Sequence, residues 1–297
     1  MLSELKDFLT ANGIEFEVDV PMSKNTTFRI GGNADIMIFP RSVEQVRDCV
    51  CELNRENIRY ITVGNGSNLL VDDDGIRGAV IKTSRLDSVY VKGNEIVAGA
   101  GALNSKVANA ALEASLTGME FAHGIPGSIG GAVFMNAGAY GGTFADIVSE
   151  TTYVDQNGNI KTVKGKEHDF GYRRSCFSDS DIICETKLIL RDGDRKKIKS
   201  EMQILIEKRK TSQPLEFPSA GSFFKRPEGY FAGKLIQDSG LKGTSVGGAQ
   251  VSEKHAGFII NKGGATCKDV DGLRELVQKT VFEKFGVMLE PEVKRIK

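Results

Sequence analysis

The stretch from Gly124 to Gly142 reads GIPGSIGGAVFMNAGAYGG and contains seven glycines. Glycine lets the main chain approach a large group closely and leaves backbone N–H groups free to donate hydrogen bonds. A flexible linker would be rich in Ser, Gly and charged residues. This stretch instead includes the apolar side chains of Ile125, Ile129, Val133, Phe134 and Met135. The composition therefore predicts a buried, glycine-rich wall for a flat, phosphate-bearing cofactor.

A second glycine-rich loop, GNGSNLL at residues 64–70, follows a predicted strand at residues 59–63. The G-x-G of a dinucleotide-binding fold requires a third glycine and then a long helix. Here Leu69 takes the place of that glycine and Val71–Gly75 is typical of a turn, so this fingerprint fails. Backbone N–H groups in a loop of small residues still form an anion-binding concavity. One such loop alone favours a tight turn, but two in one domain favour a phosphate site.

Composition limits the kinds of partner that the chain can have. The 297 residues predict about two domains, and 39 basic residues balance 39 acidic ones. This balance argues against nucleic acid or an anionic membrane as the main partner. The first residues carry acids and no long apolar core, so we expect no signal peptide, no membrane span and a cytoplasmic location. The three histidines lack metal-ligand spacing, so we expect no metal site.

The pattern of apolar and turn-forming residues predicts a mixed α+β protein. Strand, helix and strand alternate from residue 34 to residue 63, which is typical of an α/β unit. Predicted helices cover residues 2–12, 43–54, 105–115, 231–238 and 269–285, with another ending near residue 210. Further strands are predicted at residues 79–82, 88–91, 95–100, 151–154, 159–163, 182–190, 257–261 and 287–296. The proline-containing segment Thr211–Ser219 predicts a domain boundary.

Five motifs in this order and spacing resemble the UDP-N-acetylenolpyruvoylglucosamine reductase family, a match that extends from Thr26 to Arg295. They are residues 64–70, residues 124–142, Tyr172-Arg173, Ser222 in Gly-Ser-Phe-Phe-Lys, and the Leu-Glu-Pro-Glu-Val of residues 289–293. Each motif alone is weak, but five in register are specific. The resemblance implies a mixed α/β fold with an FAD-binding domain like that of vanillyl-alcohol oxidase and p-cresol methylhydroxylase.

The resemblance also implies a role for each domain. Residues 1–210 would form the FAD-binding region, in two subdomains of about 1–75 and 76–210, and residues 211–297 would bind substrate. FAD would be non-covalent, NADPH would be the hydride source, the substrate would be a UDP-sugar and the protein a monomer. The interval from Arg173 to Ser222 is too short for the substrate-capping insertion of longer members. The chain therefore resembles the shorter type, and the residues that close over its substrate stay open.

Fifteen residues of the two glycine-rich loops are the candidates for holding FAD. In the first loop they are Gly64, Asn65, Gly66, Ser67, Asn68 and Leu69. In the second they are Gly124, Pro126, Gly127, Ser128, Gly130, Gly131, Asn136, Gly138 and Ala139. Small side chains in both loops give a bulky cofactor access to backbone N–H donors.

The implied reaction reduces an enolpyruvyl ether in peptidoglycan precursor synthesis, and it assigns a role to each candidate catalytic residue. Hydride adds to the terminal carbon of the double bond, and the adjacent carbon gains carbanion character that its carboxylate delocalises. Arg173 can bind that carboxylate in a bidentate fork, and Glu292 can assist it only when protonated. Ser222 can deliver the proton, with Lys225 as the candidate for polarising its hydroxyl.

Some alternatives remain open from the sequence. Tyr172 and Lys225 are the candidate substrate-binding residues, and Arg174 is the alternative to Arg173 because only one of these neighbours can face the flavin. A flavin oxidase of the same fold would use oxygen, and His123 or Cys176 could tether its FAD covalently. A non-catalytic binding module is a further alternative, although the joint presence of the three candidate catalytic residues speaks against it.

Overall fold

The computed structural model describes residues 2–297. Within them the α-helices are α1 Leu2–Ala11, α2 Val43–Arg55, α3 Asn104–Glu113, α4 Ile129–Phe134, α5 Arg195–Ser212, α6 Ala232–Asp238 and α7 Cys267–Phe285. The first ten strands are β1 Glu15–Pro21, β2 Asn33–Phe39, β3 Tyr60–Val63, β4 Leu69–Val71, β5 Ile76–Lys82, β6 Val89–Lys92, β7 Glu95–Gly99, β8 Leu116–Thr117, β9 Gly138–Ala139 and β10 Gly142–Thr143. The others are β11 Val148–Val154, β12 Ile160–Lys164, β13 Ile182–Ile189, β14 Arg191–Asp192, β15 Ser219–Ser222, β16 Ser245–Val246, β17 Ala249–Val251, β18 Phe258–Asn261 and β19 Lys294–Ile296.

The chain divides into two compact units. Unit 1 comprises the described residues up to Val18, together with Ile36–Asn65 and Gly78–Lys208. Unit 2 comprises Asp19–Asp35, Gly66–Arg77 and Arg209–Lys297. The predicted division near residue 210 therefore coincides with one crossing between the units, while two earlier segments also belong to unit 2. This division does not assign a ligand to either unit, so the predicted roles of the two domains stay predictions.

Unit 1 contains two hydrophobic cores because it has two layers of sheet and helix. The first lies where α1 and α2 pack on a four-stranded sheet. Its strand order is β1-β2-β5-β3, and β3 and β5 run parallel. The second lies between the antiparallel sheet β12-β11-β13-β7-β6 and the helices α3, α4 and α5. The side chain of Ser42 accepts a hydrogen bond from the Gln45 backbone N–H and so caps α2, as its sequence predicts.

Unit 2 has its own core between α6, α7 and the antiparallel sheet β15-β18-β17-β16. The buried side chains of Phe28 and Leu70 join this core from the two earlier segments of the unit. A capping box at Thr266 begins α7, and Gly286, with a left-handed φ of 68°, ends it. The parallel pairing of β19 with β4 completes the unit at the chain's C-terminal end.

The structure corrects the sequence-based elements at three places. Strand β1 was not predicted, and neither was the short helix α4, which lies inside the glycine-rich stretch. The predicted strand at residues 287–296 is too long, since only Lys294–Ile296 forms a strand. Pro291 explains the difference, because proline lacks the N–H that a sheet ladder requires. Among residues 2–297, none of the helices combines the length and the apolar character needed to cross a bilayer.

Candidate active site

Gly64 and Ser128 lie against each other in unit 1. A Cβ atom built on Gly64 would stand 2.4 Å from Ser128 Oγ, so a larger residue there would displace the Ser128 hydroxyl. Ser128 is 2% exposed, and its hydroxyl has no hydrogen-bond partner in the protein. A buried hydroxyl without a partner costs free energy unless something else satisfies it. The pair therefore fits the edge of a phosphate-bearing cofactor such as FAD.

The same place is where the two parallel strands β3 and β5 end. Val63 pairs with Lys82, so Gly64 follows one strand as Thr83 follows the other. Thr83 is buried, and its Oγ1 lies 3.9 Å from the position of a Cβ on Gly64. Burial lowers the pKa of Lys82 to about 8. Sequence reasoning missed Thr83 and Lys82, although ligands commonly bind at the carboxyl ends of parallel strands.

Other glycines of the long stretch have a structural reason within the protein itself. Gly130 has its backbone against Ala100, where an added Cβ would stand 2.8 Å from the Ala100 side chain. Gly138 lies in the β9–β10 hairpin, where a Cβ would meet the Gly142 carbonyl at 2.8 Å. Gly127 has a φ of 142°, which favours glycine, and its carbonyl accepts from the Asn104 N–H at 3.1 Å. Their contact with FAD stays a prediction.

Several predicted cofactor residues lie on accessible main chain in unit 1. Asn65, Pro126 and Gly131 are exposed, and Gly124 and Ala139 are half-buried. A Cβ on Gly131 would have only Ser128 Oγ, at 4.0 Å, as a neighbour. The backbone at these positions is therefore open to a bound group, as the glycine-rich composition predicts.

The rest of the short loop belongs to unit 2, where it is fixed by backbone contacts. Gly66 has a φ of 66°, and its carbonyl accepts from the Thr27 N–H at 3.1 Å. The Asn68 side chain donates to the Glu292 carbonyl at 3.1 Å, so its amide nitrogen is engaged within the protein. Ser67 is half-buried, and Leu69 begins β4 opposite Lys294. Leu69 is thus a strand residue, and its contact with FAD stays a prediction.

Arg173 stands at the tip of a tight hairpin in unit 1. Gly171 and Arg174 pair across the turn, with the Gly171 N–H donating to the Arg174 carbonyl at 3.0 Å. Arg173 has a φ of 55°, a left-handed value that non-glycine residues rarely adopt. Its guanidinium lies 5.0 Å from the centre of the exposed Tyr172 ring. Arg174 forms an exposed ion pair with Asp169 at 3.2 Å.

Asn136, a predicted cofactor residue, uses both ends of its side-chain amide inside unit 1. Its Nδ2 donates to the Gly171 carbonyl at 3.0 Å, and its Oδ1 accepts from the Ala145 N–H at 2.9 Å. Ser175 adds a second link, since its hydroxyl donates to the Phe134 carbonyl at 2.7 Å. The hairpin that carries Arg173 is therefore tied to the glycine-rich stretch, a connection that the sequence alone did not reveal.

Ser222 ends strand β15 in unit 2 at a local irregularity of the sheet. It pairs with Phe258 in β18, and the register shifts between Ser219 and Ser222. Gly221 has a φ of 82°, the left-handed conformation found in β-bulges. A bulge turns the following side chain out of the regular alternation, and Ser222 is exposed. The sequence around Ser222 thus presents its hydroxyl rather than burying it.

The segment with Glu292 runs alongside the one with Ser222. Phe224 and Pro291 form an antiparallel bridge, and the Glu292 N–H donates to the Phe223 carbonyl at 2.8 Å. Unit 2 therefore brings the two predicted catalytic segments together. Lys225 lies in the same pair of segments, where its ammonium is 3.2 Å from a Glu290 carboxylate oxygen. Since both side chains are largely exposed, this ion pair is weak and opens readily.

The histidines and cysteines show no sign of metal chemistry. Among the described residues there is no cluster of three or more His, Cys, Asp or Glu side chains that could hold a metal ion. His168 is fully buried, and its ring nitrogens contact the Gly165 carbonyl and the Thr151 hydroxyl, both at 2.9 Å. His168 therefore supports the loop before Arg173 as a structural residue.

Comparison with known proteins gives the family. Residues 34–164 match the family described as FAD binding domain, and residues 213–296 match the C-terminal domain of UDP-N-acetylenolpyruvoylglucosamine reductase. A Clostridium novyi (strain NT) protein named UDP-N-acetylenolpyruvoylglucosamine reductase is 50% identical over 281 residues, which cover 94% of this chain and 92% of that protein. The crystal structure of the Thermus caldophilus reductase aligns with a TM-score of 0.82 at 34% identity, covering 96% of this chain and 99% of that chain.

A more distant structure extends the comparison at the level of fold alone. Wild-type Phl p 4.0202, a glucose dehydrogenase, aligns with a TM-score of 0.50 at 17% identity over 65% of this chain and 44% of its own. The α+β fold, its FAD-binding domain and the cofactor FAD, all predicted from the sequence, are confirmed. The chain belongs to the UDP-N-acetylenolpyruvoylglucosamine reductase family, and it is an FAD-containing oxidoreductase that reduces UDP-N-acetylglucosamine enolpyruvate to UDP-N-acetylmuramate in peptidoglycan precursor synthesis.

Proposed function

We propose that the reduction uses NADPH, non-covalently held FAD and three catalytic side chains: Arg173, Ser222 and Glu292. When bound, FAD supplies the two-electron redox chemistry of the reaction. Gly64 and Ser128 would hold it, because the buried Ser128 hydroxyl has no hydrogen-bond partner in the protein and lies against Gly64, where a side chain would displace it. The exposed main chain at Asn65 and Gly131 would contribute backbone N–H donors. Pro126 has no N–H, and the Gly130 N–H already donates to the Ala100 carbonyl at 2.9 Å.

Arg173 binds the carboxylate of the enolpyruvyl group in this proposal. A guanidinium can donate two parallel hydrogen bonds to a carboxylate, which fixes the plane in which negative charge develops. The exposed Tyr172 ring beside it offers an apolar surface to the sugar nucleotide. Arg174 stays the alternative, because its ion pair with Asp169 is exposed and therefore weak.

Ser222 donates its hydroxyl proton to the carbon next to that carboxylate. The observation that carries this role is the bulge at Gly221, which exposes the Ser222 side chain beside the segment of Glu292. A free hydroxyl is a poor acid, so a cation should polarise it, and Lys225 fills that role once its exposed ion pair with Glu290 opens. Glu292 assists the carboxylate in its protonated form.

NADPH oxidation tests this proposal directly. The purified protein should be yellow, and acid denaturation should release all of its FAD into solution. Steady NADPH oxidation should begin only when the enolpyruvyl UDP-sugar is added. Flavin that stays with the denatured chain, or turnover driven by oxygen alone, would contradict the proposal and favour a flavin oxidase. We expect these properties in a cytoplasmic monomer that does not bind nucleic acid.

A further inference from the structure

The hairpin with Arg173 is under backbone strain that other residues must balance. Arg173, Asp169 and Asn136 all have left-handed φ values, of 55°, 44° and 42°. Such conformations persist only where the surroundings hold them, and they concentrate at functional sites. Because Arg173 is at the tip, any relaxation of the turn would swing its guanidinium away from its working direction.

The Asn136 side chain forms a hydrogen bond with the Gly171 carbonyl, which lies at the base of this hairpin. The Gly171 carbonyl accepts two hydrogen bonds, from the Arg174 N–H at 3.3 Å and from Asn136 Nδ2 at 3.0 Å. The other end of the amide accepts from the Ala145 N–H at 2.9 Å, so only one orientation of the side chain satisfies both partners. Asn136 is 8% exposed, and its amide is therefore fixed rather than mobile.

We propose that Asn136 is a positioning residue for Arg173, whose strained hairpin it ties to the glycine-rich stretch through the Gly171 carbonyl. The proposal rests on the substrate-binding role of Arg173 given above. The sequence-based prediction that Asn136 binds FAD is the alternative to this role, and each polar end of the side chain already has one hydrogen bond within unit 1. Preorganised geometry matters here because a misplaced charge binds its partner poorly.

The test replaces Asn136 with Asp, which has the same shape and tolerates the left-handed backbone. Asn136→Asp keeps the acceptor for Ala145 but presents an oxygen to the Gly171 carbonyl in place of the donor. Asn136→Gly is the second variant, since glycine keeps the backbone conformation while removing both contacts. Asn54→Asp is the matched control, because Asn54 donates to the Gln156 carbonyl at an exposed place in the same unit.

Stopped flow separates the two half-reactions of each variant. We expect Asn136→Asp and Asn136→Gly to keep full FAD content and normal reduction by NADPH. Oxidation by the enolpyruvyl substrate should slow about tenfold, the scale of one lost hydrogen bond to the partly buried Gly171 carbonyl, which keeps only its bond from the Arg174 N–H. A protonated Asp can donate where a carboxylate cannot, so the defect of Asn136→Asp should shrink as pH falls. Asn54→Asp should match the wild type at every pH.

A double-mutant cycle with Arg173→Lys decides whether Asn136 acts through Arg173. If it does, Asn136→Asp should add almost nothing to the defect of Arg173→Lys. Equal slowing in both backgrounds, or loss of FAD from the Asn136 variants, would overturn the inference, and the loss of FAD would make Asn136 a cofactor ligand. If Arg173→Lys alone behaves as wild type, the proposed role of Arg173 fails first, and the positioning role fails with it.

Discussion

The two segments that carry the proposed catalytic groups are held in place by different means. In unit 1, the hairpin of Arg173 is fixed by side-chain hydrogen bonds from Asn136 and Ser175. In unit 2, Ser222 stands on a strand whose next two residues, Phe223 and Phe224, are buried with ring centres 5.2 Å apart. One device relies on a few polar contacts and the other on burial of aromatic surface.

This difference predicts which substitutions each segment tolerates. The Arg173 hairpin should be sensitive to substitutions that remove one of its few hydrogen bonds. Such substitutions change little of the buried apolar surface. A strand anchored by two phenylalanines depends on volume, because buried aromatic side chains contribute several kcal/mol each. Damage to the first device should appear in kinetics, and damage to the second should appear in stability.

Ser222→Ala should have the largest effect and should leave the anchor of its strand intact. Loss of a positioned general acid typically slows a reaction by about 10²–10⁴-fold. We expect this slowing in oxidation by the enolpyruvyl substrate, with reduction by NADPH preserved, as measured by stopped flow. Ser222→Cys should retain more activity than Ser222→Ala, since a thiol also carries a proton. Loss of the NADPH half-reaction would instead make Ser222 a structural residue or a nicotinamide contact.

Phe223→Ala should break the aromatic anchor. Truncating a buried phenylalanine usually lowers the free energy of unfolding by about 3–5 kcal/mol. Chemical denaturation should report this loss, and Phe223→Leu should recover part of it because it restores much of the buried volume. A stable Phe223→Ala variant would show that the backbone pairing of β15, rather than its aromatic neighbours, holds Ser222.

Arg173→Lys should act on the kinetics of unit 1 without a comparable loss of stability. Lysine keeps the charge but lacks the planar fork, so oxidation by substrate should slow about 10- to 100-fold, since hydrogen bonds to charged groups contribute roughly 1.5–3 kcal/mol. FAD should remain bound. Arg174→Lys is the matched variant, and we expect it to be close to wild type because its partner is the exposed Asp169. The reverse result would assign the carboxylate to Arg174.

The smallest expected effect is a loss of stability at low pH that arises from unit 2. The Asp74 N–H and the Arg295 guanidinium, 2.8 Å away, keep the pKa of Asp72 in unit 2 below its ordinary value. Stability from this carboxylate is complete above its unfolded pKa, about 4, and is lost as pH falls through the lower folded value. The difference in unfolding free energy between wild type and Asp72→Asn should therefore shrink at low pH. The Asn136 and Ser175 anchors do not titrate and should show no such dependence.

Much of the fold could be predicted because local rules agreed with it. The helix capped by Ser42, the strand pair around Asn157-Gly158 and the long helix α7 follow from capping, turn and periodicity signals. Strand β1 was missed although Phe16, Val18 and Val20 alternate with acidic residues, which is the period-two pattern that predicts a strand. Helix α4 was missed because glycine has low helix propensity, and tertiary packing against Ala100 outweighs it.

The residue types of the candidate site could be predicted from the sequence. The contacts between residues far apart in the chain could not. Glycines and the Gly-Ser-Phe-Phe-Lys turn are visible in the sequence, and they directed attention to Ser128 and Ser222. The hydrogen bond from Asn136 to Gly171 joins residues 35 positions apart, and no local pattern encodes such a pair. The same reason explains why Thr83 was missed, since its proximity to Gly64 arises only when two parallel strands pair.

The acidic turn before β5 has a consequence for how the chain folds during synthesis. Asp73 accepts from the N–H groups of Cys267 at 2.7 Å and Lys268 at 3.1 Å, and so completes the N-terminal cap of α7 from 194 residues earlier in the chain. Loops of this length are slow to close. A fragment that begins at Thr211 would lack this cap, the partner of β19 and part of its core. We therefore expect such a fragment to be less stable than the same residues in the whole chain. During synthesis Asp73 leaves the ribosome long before α7 and finds its N–H partners only once that helix has been made.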